Sequence, residues 1–415
     1  MATAVLPAGK APPHGPTPGR VLDYLNFFLA DVRDGLGPYL AIYLIAVRGP
    51  AHGWNEATVG SVLTIAGIVG LLCQTPAGSL IDRVTNKPRL VMIAALLVTL
   101  SSVSLPIVSG YTMVAITQSV AAAAGAVFAP AISAITLGLV GPKLFARRVG
   151  RNEAFNHGGN AASAGLAGVL AWMFGPVVVF WLMAGLTVAS ILAAARIRNA
   201  DIDNDVARGL DCAPDEDCEQ PSAWRCLIDN RPLLLFAVIA FTFHLANAAM
   251  LTSVSQLLAK TVGKGQATSL TAACIVAAQL VMVPVALVAG RNAERWGTKR
   301  IFLVGFGFLA ARGGLYTLSN DPLWLVGVQA LDGIGAGIFG ALFPIVIADL
   351  TKGSGRFNVS QGAVATAQGL GAALSASLAG VIIVAAGYSV GFLTLASIAA
   401  LGSVLYLVAM PDTKA

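Results

Sequence analysis

The chain alternates long apolar runs with short polar and charged breaks, and the runs have the length of a bilayer crossing. Spanning the hydrocarbon core takes about 20 apolar residues in a helix. Runs of this kind fall near 21–47, 57–81, 89–109, 112–140, 152–174, 177–196, 232–258, 267–289, 301–318, 323–350, 358–386 and 388–410. Each predicts one crossing helix, because a helix satisfies its own backbone hydrogen bonds where no water is present. The pattern therefore predicts an all-α membrane protein with twelve transmembrane helices. One polar stretch divides them six and six. The boundaries are a disordered tail at 1–20, a six-helix bundle at 21–197, a linker at 198–231, a second six-helix bundle at 232–410 and a short tail at 411–415.

The two sets are copies. Between spans 2 and 3 lies Gly78-Ser-Leu-Ile-Asp82-Arg83-Val-Thr-Asn-Lys87-Pro-Arg89, and between spans 8 and 9 lies Gly290-Arg-Asn-Ala-Glu294-Arg295-Trp-Gly297-Thr-Lys299-Arg300. Glycine, acid and arginine recur at a constant shift of 212 residues, as do Ser163/Ser375 and Gly175/Gly387. A shift near half the chain length means a duplicated domain rather than a solenoid. The two bundles are thus expected to be pseudo-symmetric.

This loop pair resembles the signature loop of the major facilitator superfamily, which falls between helices 2 and 3 and recurs between helices 8 and 9. The first copy departs from the family pattern at Thr85, usually glycine, and Asn86, usually a base; the second keeps Gly297 and has Glu294 for aspartate. The resemblance implies a secondary transporter, mostly monomeric in this family, whose halves rock about a central cavity surrounded by helices 1, 4, 7 and 10. It also implies that the loop latches the inner gate, so Asp82 is expected to hold the inner end of helix 11. Gly78, Arg83, Gly290, Glu294 and Arg295 complete this gate set, with Asp349 at the inner end of helix 10 as a partner for Arg295.

Composition agrees with the membrane reading: 56% of residues are hydrophobic and 11% charged, with mean hydropathy +0.77. Of the 26 lysines and arginines, 21 fall on one side of the predicted spans, three on the other and two within spans. Basic residues mark the cytoplasmic side, which places both termini there and the chain in the inner (plasma) membrane. The net charge of +6 then reflects topology, and no nucleic-acid partner is implied. The first twenty residues lack the apolar core of a signal peptide. Linker cysteines Cys212, Cys218 and Cys226 lack metal-like spacing, so no metal or other cofactor is expected. No nucleotide-binding loop or catalytic signature appears, which argues against ATP hydrolysis and against an enzyme.

Ionisable groups at bilayer depth cost about 2.5–3.5 kcal/mol each on the gentler insertion scale, so each one marks a candidate site. Span 1 carries Asp31, Arg33 and Asp34. The two aspartates, three apart, share a face, and Arg33 points away from Asp31, open either to pair with a neighbouring helix or to face the cavity itself. Gly35, Gly37 and Pro38 follow and predict a bent or unwound backbone. His244 and Asn247 in span 7 echo the aspartates, at a shift of 213. Span 10 adds Gln329 and Asp332, span 9 adds Arg312, and Gln118 in span 4 mirrors Gln329. An Arg312–Asp332 ion pair and a cavity role for Asp332 are both open at this stage. Glu153, Asn156 and Asn160 on span 5, with Gln361 and Gln368 on span 11, read as amide glue between the halves or as cavity groups.

The resulting expectation is alternating-access transport of a small organic solute, driven by protons in an antiport that exports it. Asp31, Asp34 and His244 are the proposed proton or substrate contacts, and membrane lipid is the surrounding partner. Gln118 stands where many proton-coupled exporters carry arginine, and span 5 lacks the Gly-Pro pair of drug antiporters, which weakens a multidrug reading. The alternatives are a facilitator or symporter importing an organic anion on Arg33 and His244, and a membrane sensor that binds without moving its ligand.

Overall fold

The computed structural model describes residues 18–34, 40, 43–44, 54, 56–108, 110–175, 177–210, 230–262 and 264–411. The expected bend at Gly35, Gly37 and Pro38, most of the predicted tails, and linker residues 211–229 with their three cysteines lie outside the described residues. Within them the protein is helical and has no strand.

The first bundle runs α1 (Pro18–Asp34), α2 (Glu56–Arg83), α3 (Lys87–Val103), α4 (Tyr111–Gly125), α5 (Phe128–Phe174) and α6 (Val178–Ala195). A short α7 (Asn204–Ala207) lies in the linker. The second bundle runs α8 (Arg231–Val262), α9 (Lys264–Trp296), α10 (Thr298–Leu315), α11 (Pro322–Gln329), α12 (Asp332–Leu350), α13 (Phe357–Ala386) and α14 (Tyr388–Ala409). Helix and span boundaries differ in two places. The fourth span breaks at Ala126–Val127 and runs on through Gly141 into the fifth, so that α5 covers both; Gly141 (φ 71°) and Pro142 make the turn. The tenth span breaks between α11 and α12. Eight helical stretches among the described residues are long and apolar enough to cross a membrane; one of them, Tyr111–Ala171, contains two spans. Together with α1, α3 and α10 they account for the twelve crossings.

Local chemistry sets the ends. Asn86 caps α3, its side chain accepting from the Arg89 N–H at 3.2 Å, and Pro88 occupies the first turn, where its missing N–H costs nothing. Asp321 caps α11 in the same way, accepting from Leu323 and Trp324. Gly175 and Gly387 end α5 and α13 at φ 83° and 87°, a left-handed conformation that side chains disfavour. The sequence repeat thus reappears as a backbone repeat.

Each half has its own apolar core. In the second half the core includes a cluster of rings, with Phe243 stacked on Phe339 at 4.8 Å and edge-on to Phe306 at 5.1 Å. Leu137, Phe145, Ala146 and Val149 of α5 belong to the second-half core, so α5 ties the two halves together. Large apolar side chains such as Val384 (89% exposed), Val408 (79%) and Leu72 (70%) face outward, as a lipid-facing surface requires.

Candidate functional site

Between the halves lies a cavity of about 630 Å³. Its polar wall comes from Arg33 of α1, Gln74 of α2, Gln118 of α4, Glu153 of α5, and Gln361 and Gln368 of α13. Phe339 and Gly340 of α12 close it from the second half. Arg33 Nη1 stands 3.7 Å from Glu153 Oε1, with the side chains 29% and 15% exposed. Asn156 donates weakly to Glu153 Oε2 at 3.5 Å, and that oxygen is within 3.7 Å of where a methyl on Gly340 would sit. Glu153 therefore lies at the seam, in reach of both halves. Gln118 and Gln361 each keep a buried amide nitrogen with no hydrogen-bond partner among the described residues.

The structure brings together only part of the expected set. Arg33 pairs with a neighbouring helix and also faces the cavity, whereas half-buried Asp31 lies off the cavity wall and the Asp34 side chain is outside the described residues. His244 does not reach the cavity. Its Nδ1 is 3.1 Å from the Ala240 carbonyl of its own helix, and its ring meets Phe339 edge-on at 4.6 Å. Phe339 is itself a wall residue, whereas His244 is not among the lining residues.

Asn247, Gln329 and Asp332 form a second, largely buried cluster. Arg312 of α10, 1% exposed, pairs with Asp332 of α12 and donates to Asn247 Oδ1 of α8. Its guanidinium also lies against Met250 Sδ at 3.1 and 3.3 Å. Tyr316 donates to Gln329 Oε1, and Gln329 donates to Asp332 Oδ2 at 3.1 Å. These groups pair with one another inside the second half, and none of them lines the cavity.

At the end of the bundle that carries the loop bases, the halves meet closely. Asp82, 5% exposed, accepts from Asn358 Nδ2 at 2.8 Å and from the Val359 N–H at 2.9 Å, across the seam at the start of α13. A carboxylate at a helix N-terminus meets unpaired N–H groups and the positive end of the dipole. Glycines allow the approach. A methyl on Gly78 would come within 2.1 Å of the Asn358 carbonyl oxygen, and one on Gly362 within 2.2 Å of that of Gln74. Gly150 of α5 and Gly290 of α9 face each other as tightly, at 2.6 to 2.7 Å from a built methyl to the opposing Cα. Arg83, Glu294, Arg295 and Asp349 are exposed at this end.

Glu153 and Gln74 are the wall residues that sequence reasoning underweighted. Glu153 was legible as an acid on a polar stripe, but nothing in the stripe showed which side it faced. Gln74 carried a signal of its own, as a polar side chain deep in the second apolar run.

A twelve-helix duplicated bundle with a polar cavity at its seam defines a membrane transporter fold. The chain matches the Major Facilitator Superfamily over residues 22–311 and 239–415, and it belongs to that superfamily. Uncharacterized MFS-type transporters from two strains of Mycobacterium tuberculosis are each 55% identical over 398 residues, covering 96% of this chain and 94% of theirs. Among solved structures, the human organic anion transporter MFSD10 superposes with a TM-score of 0.71 at 15% identity, over 94% of this chain and 100% of that one. The MFS transporter FucP in the outward conformation gives 0.71 at 14% identity, over 94% and 98%. At such identities the likeness is one of fold.

Proposed function

We propose that this MFS transporter moves a small polar organic solute by alternating access, exporting it in exchange for protons. The cavity between the halves, with the Arg33–Glu153 pair in its wall and glycine-mediated closure beneath it, carries the reading. The basic end is taken as cytoplasmic by the charge asymmetry, which puts both termini inside and makes the arrangement in hand one that is closed to the cytoplasm. Each chain contains a whole cavity, consistent with a working monomer. The polar wall of Gln74, Gln118, Gln361 and Gln368 suits a polar solute.

Glu153, instead of His244, is the proton carrier in this reading, because it joins cavity, seam and a cation. Protonation would release Arg33, and a solute group would take its place. Glu153→Gln is expected to keep exchange of solute down its gradient while proton-driven accumulation in proteoliposomes falls at least about tenfold, the size of one lost charge-assisted contact. Normal accumulation in that variant would remove Glu153 from the role. One observation favours the importing facilitator: at 3.7 Å the pairing is loose, and Arg33 could receive an organic anion. Solute flux indifferent to pH would select that reading.

Asp82 is proposed as the latch of the inner gate. Asp82→Asn loses a charge-assisted contact worth about 1.5–3 kcal/mol, so closure of the basic end should weaken roughly ten- to a hundredfold. Spin-label distances between α2 and α13 should lengthen and transport should fail, while the protein stays folded. Unchanged distances with full transport would exclude the latch.

A further inference from the structure

A second pocket, of about 350 Å³, opens at the foot of α1 near the basic end, apart from the central cavity. Arg20 and Asp23 of α1 form it with Leu144, Arg147, Arg148 and Arg151 of α5. Asp23 is already committed. Arg148 Nη2 holds its Oδ1 at 2.5 Å, while Arg151 donates through Nε at 2.9 Å and Nη2 at 2.7 Å. Arg148 Nε is also engaged, by Asn152 Oδ1 at 2.8 Å. Arg20 and Arg147 are exposed, and neither has an acidic partner within ion-pairing distance among the described residues. Four guanidinium groups thus surround one carboxylate whose two oxygens are both taken.

From this we infer that the pocket is a binding site for the phosphate of an anionic phospholipid. Guanidinium groups match phosphate oxygens in a bidentate fork and are the preferred phosphate ligands of proteins. The wall selects a lipid over a free anion. Leu144 is 56% exposed beside the arginines, offering apolar surface that inorganic phosphate cannot use but the glycerol and first acyl carbons can. Basic pockets between helix ends at the inner membrane surface suit such headgroups. A bound headgroup would brace α1 against α5, the helices that carry Arg33 and Glu153.

The test is native mass spectrometry of the full chain titrated with phosphatidylglycerol or phosphatidylcholine, on wild type and the Arg20→Gln/Arg147→Gln variant. These two arginines stand outside the Asp23 clamp, so the fold should be retained, with an unchanged melting curve as the control. Wild type is expected to prefer phosphatidylglycerol, and the double variant to lose roughly thirtyfold of that preference. Arg291→Gln/Arg300→Gln, exposed at the same end of the other half, should leave it intact. Equal binding of the two lipids by wild type would overturn the site, as would an equal loss in the Arg291/Arg300 variant, which would indicate diffuse surface charge. Full displacement of the lipid by inorganic phosphate at matched concentration would overturn the lipid assignment.

Discussion

Gly290→Leu is expected to abolish transport while leaving a folded protein whose basic end cannot close. Even the first carbon of the new side chain would stand 2.6 Å from Gly150 Cα and 2.8 Å from the Ala146 carbonyl oxygen. These are backbone atoms, so no rotamer change relieves the contact, and α5 and α9 must separate. Separation disfavours only the arrangement closed at this end, which shifts the equilibrium between the two arrangements toward the other. The helix itself does not suffer, since glycine is a poorer helix former than leucine by about 1 kcal/mol. A membrane-impermeant thiol reagent on a cysteine placed in the cavity wall should then gain access from the basic side. Gly168→Leu supplies the contrast: nothing lies within 4 Å of a methyl there, and transport should persist. Retained transport in Gly290→Leu would mean that the two glycines need not meet during the cycle.

The second large effect concerns folding. Arg312→Met should destabilise the second half by about 3–5 kcal/mol, because it leaves the Asp332 charge without a counter-ion inside the bundle. Asn247 would also lose its donor. Arg312→Met/Asp332→Leu removes both charges and should recover most of the loss, so the two changes are strongly non-additive. Thermal unfolding in detergent, followed by size-exclusion chromatography, measures both. If the single variant is as stable as the parent, the pair contributes no net stability and another role must be sought for it.

The two expectations draw on different levels of information. The repeat marked Gly290 through its twin Gly78 and the loop motif, but that it meets Gly150 of α5 is visible only in the packing. The Arg312–Asp332 pair was foreseeable as a possibility, since each residue needed a partner at depth, but a cavity role for Asp332 stayed equally open. Only the rotation of α10 and α12 decided it. The same uncertainty misplaced His244. Its spacing from Asn247 put both on one face, and that face meets Arg312 of α10 and Phe339 of α12 instead of lining the cavity.

By itself the sequence determined the twelve crossings and the duplication. Each depends on local composition or on a constant shift along the chain, and a helix in lipid must close its own hydrogen bonds whatever its neighbours do. The tertiary structure alone decided that Arg33, Gln118 and Glu153 share a cavity with Gln74, Gln361 and Gln368, and that His244 does not. In a soluble helix the apolar face marks the core. In a bilayer, lipid and protein interior are both apolar, so that contrast vanishes and periodicity groups residues on a face without saying where the face points. That direction is set by the packing of glycines and rings between helices far apart in the chain.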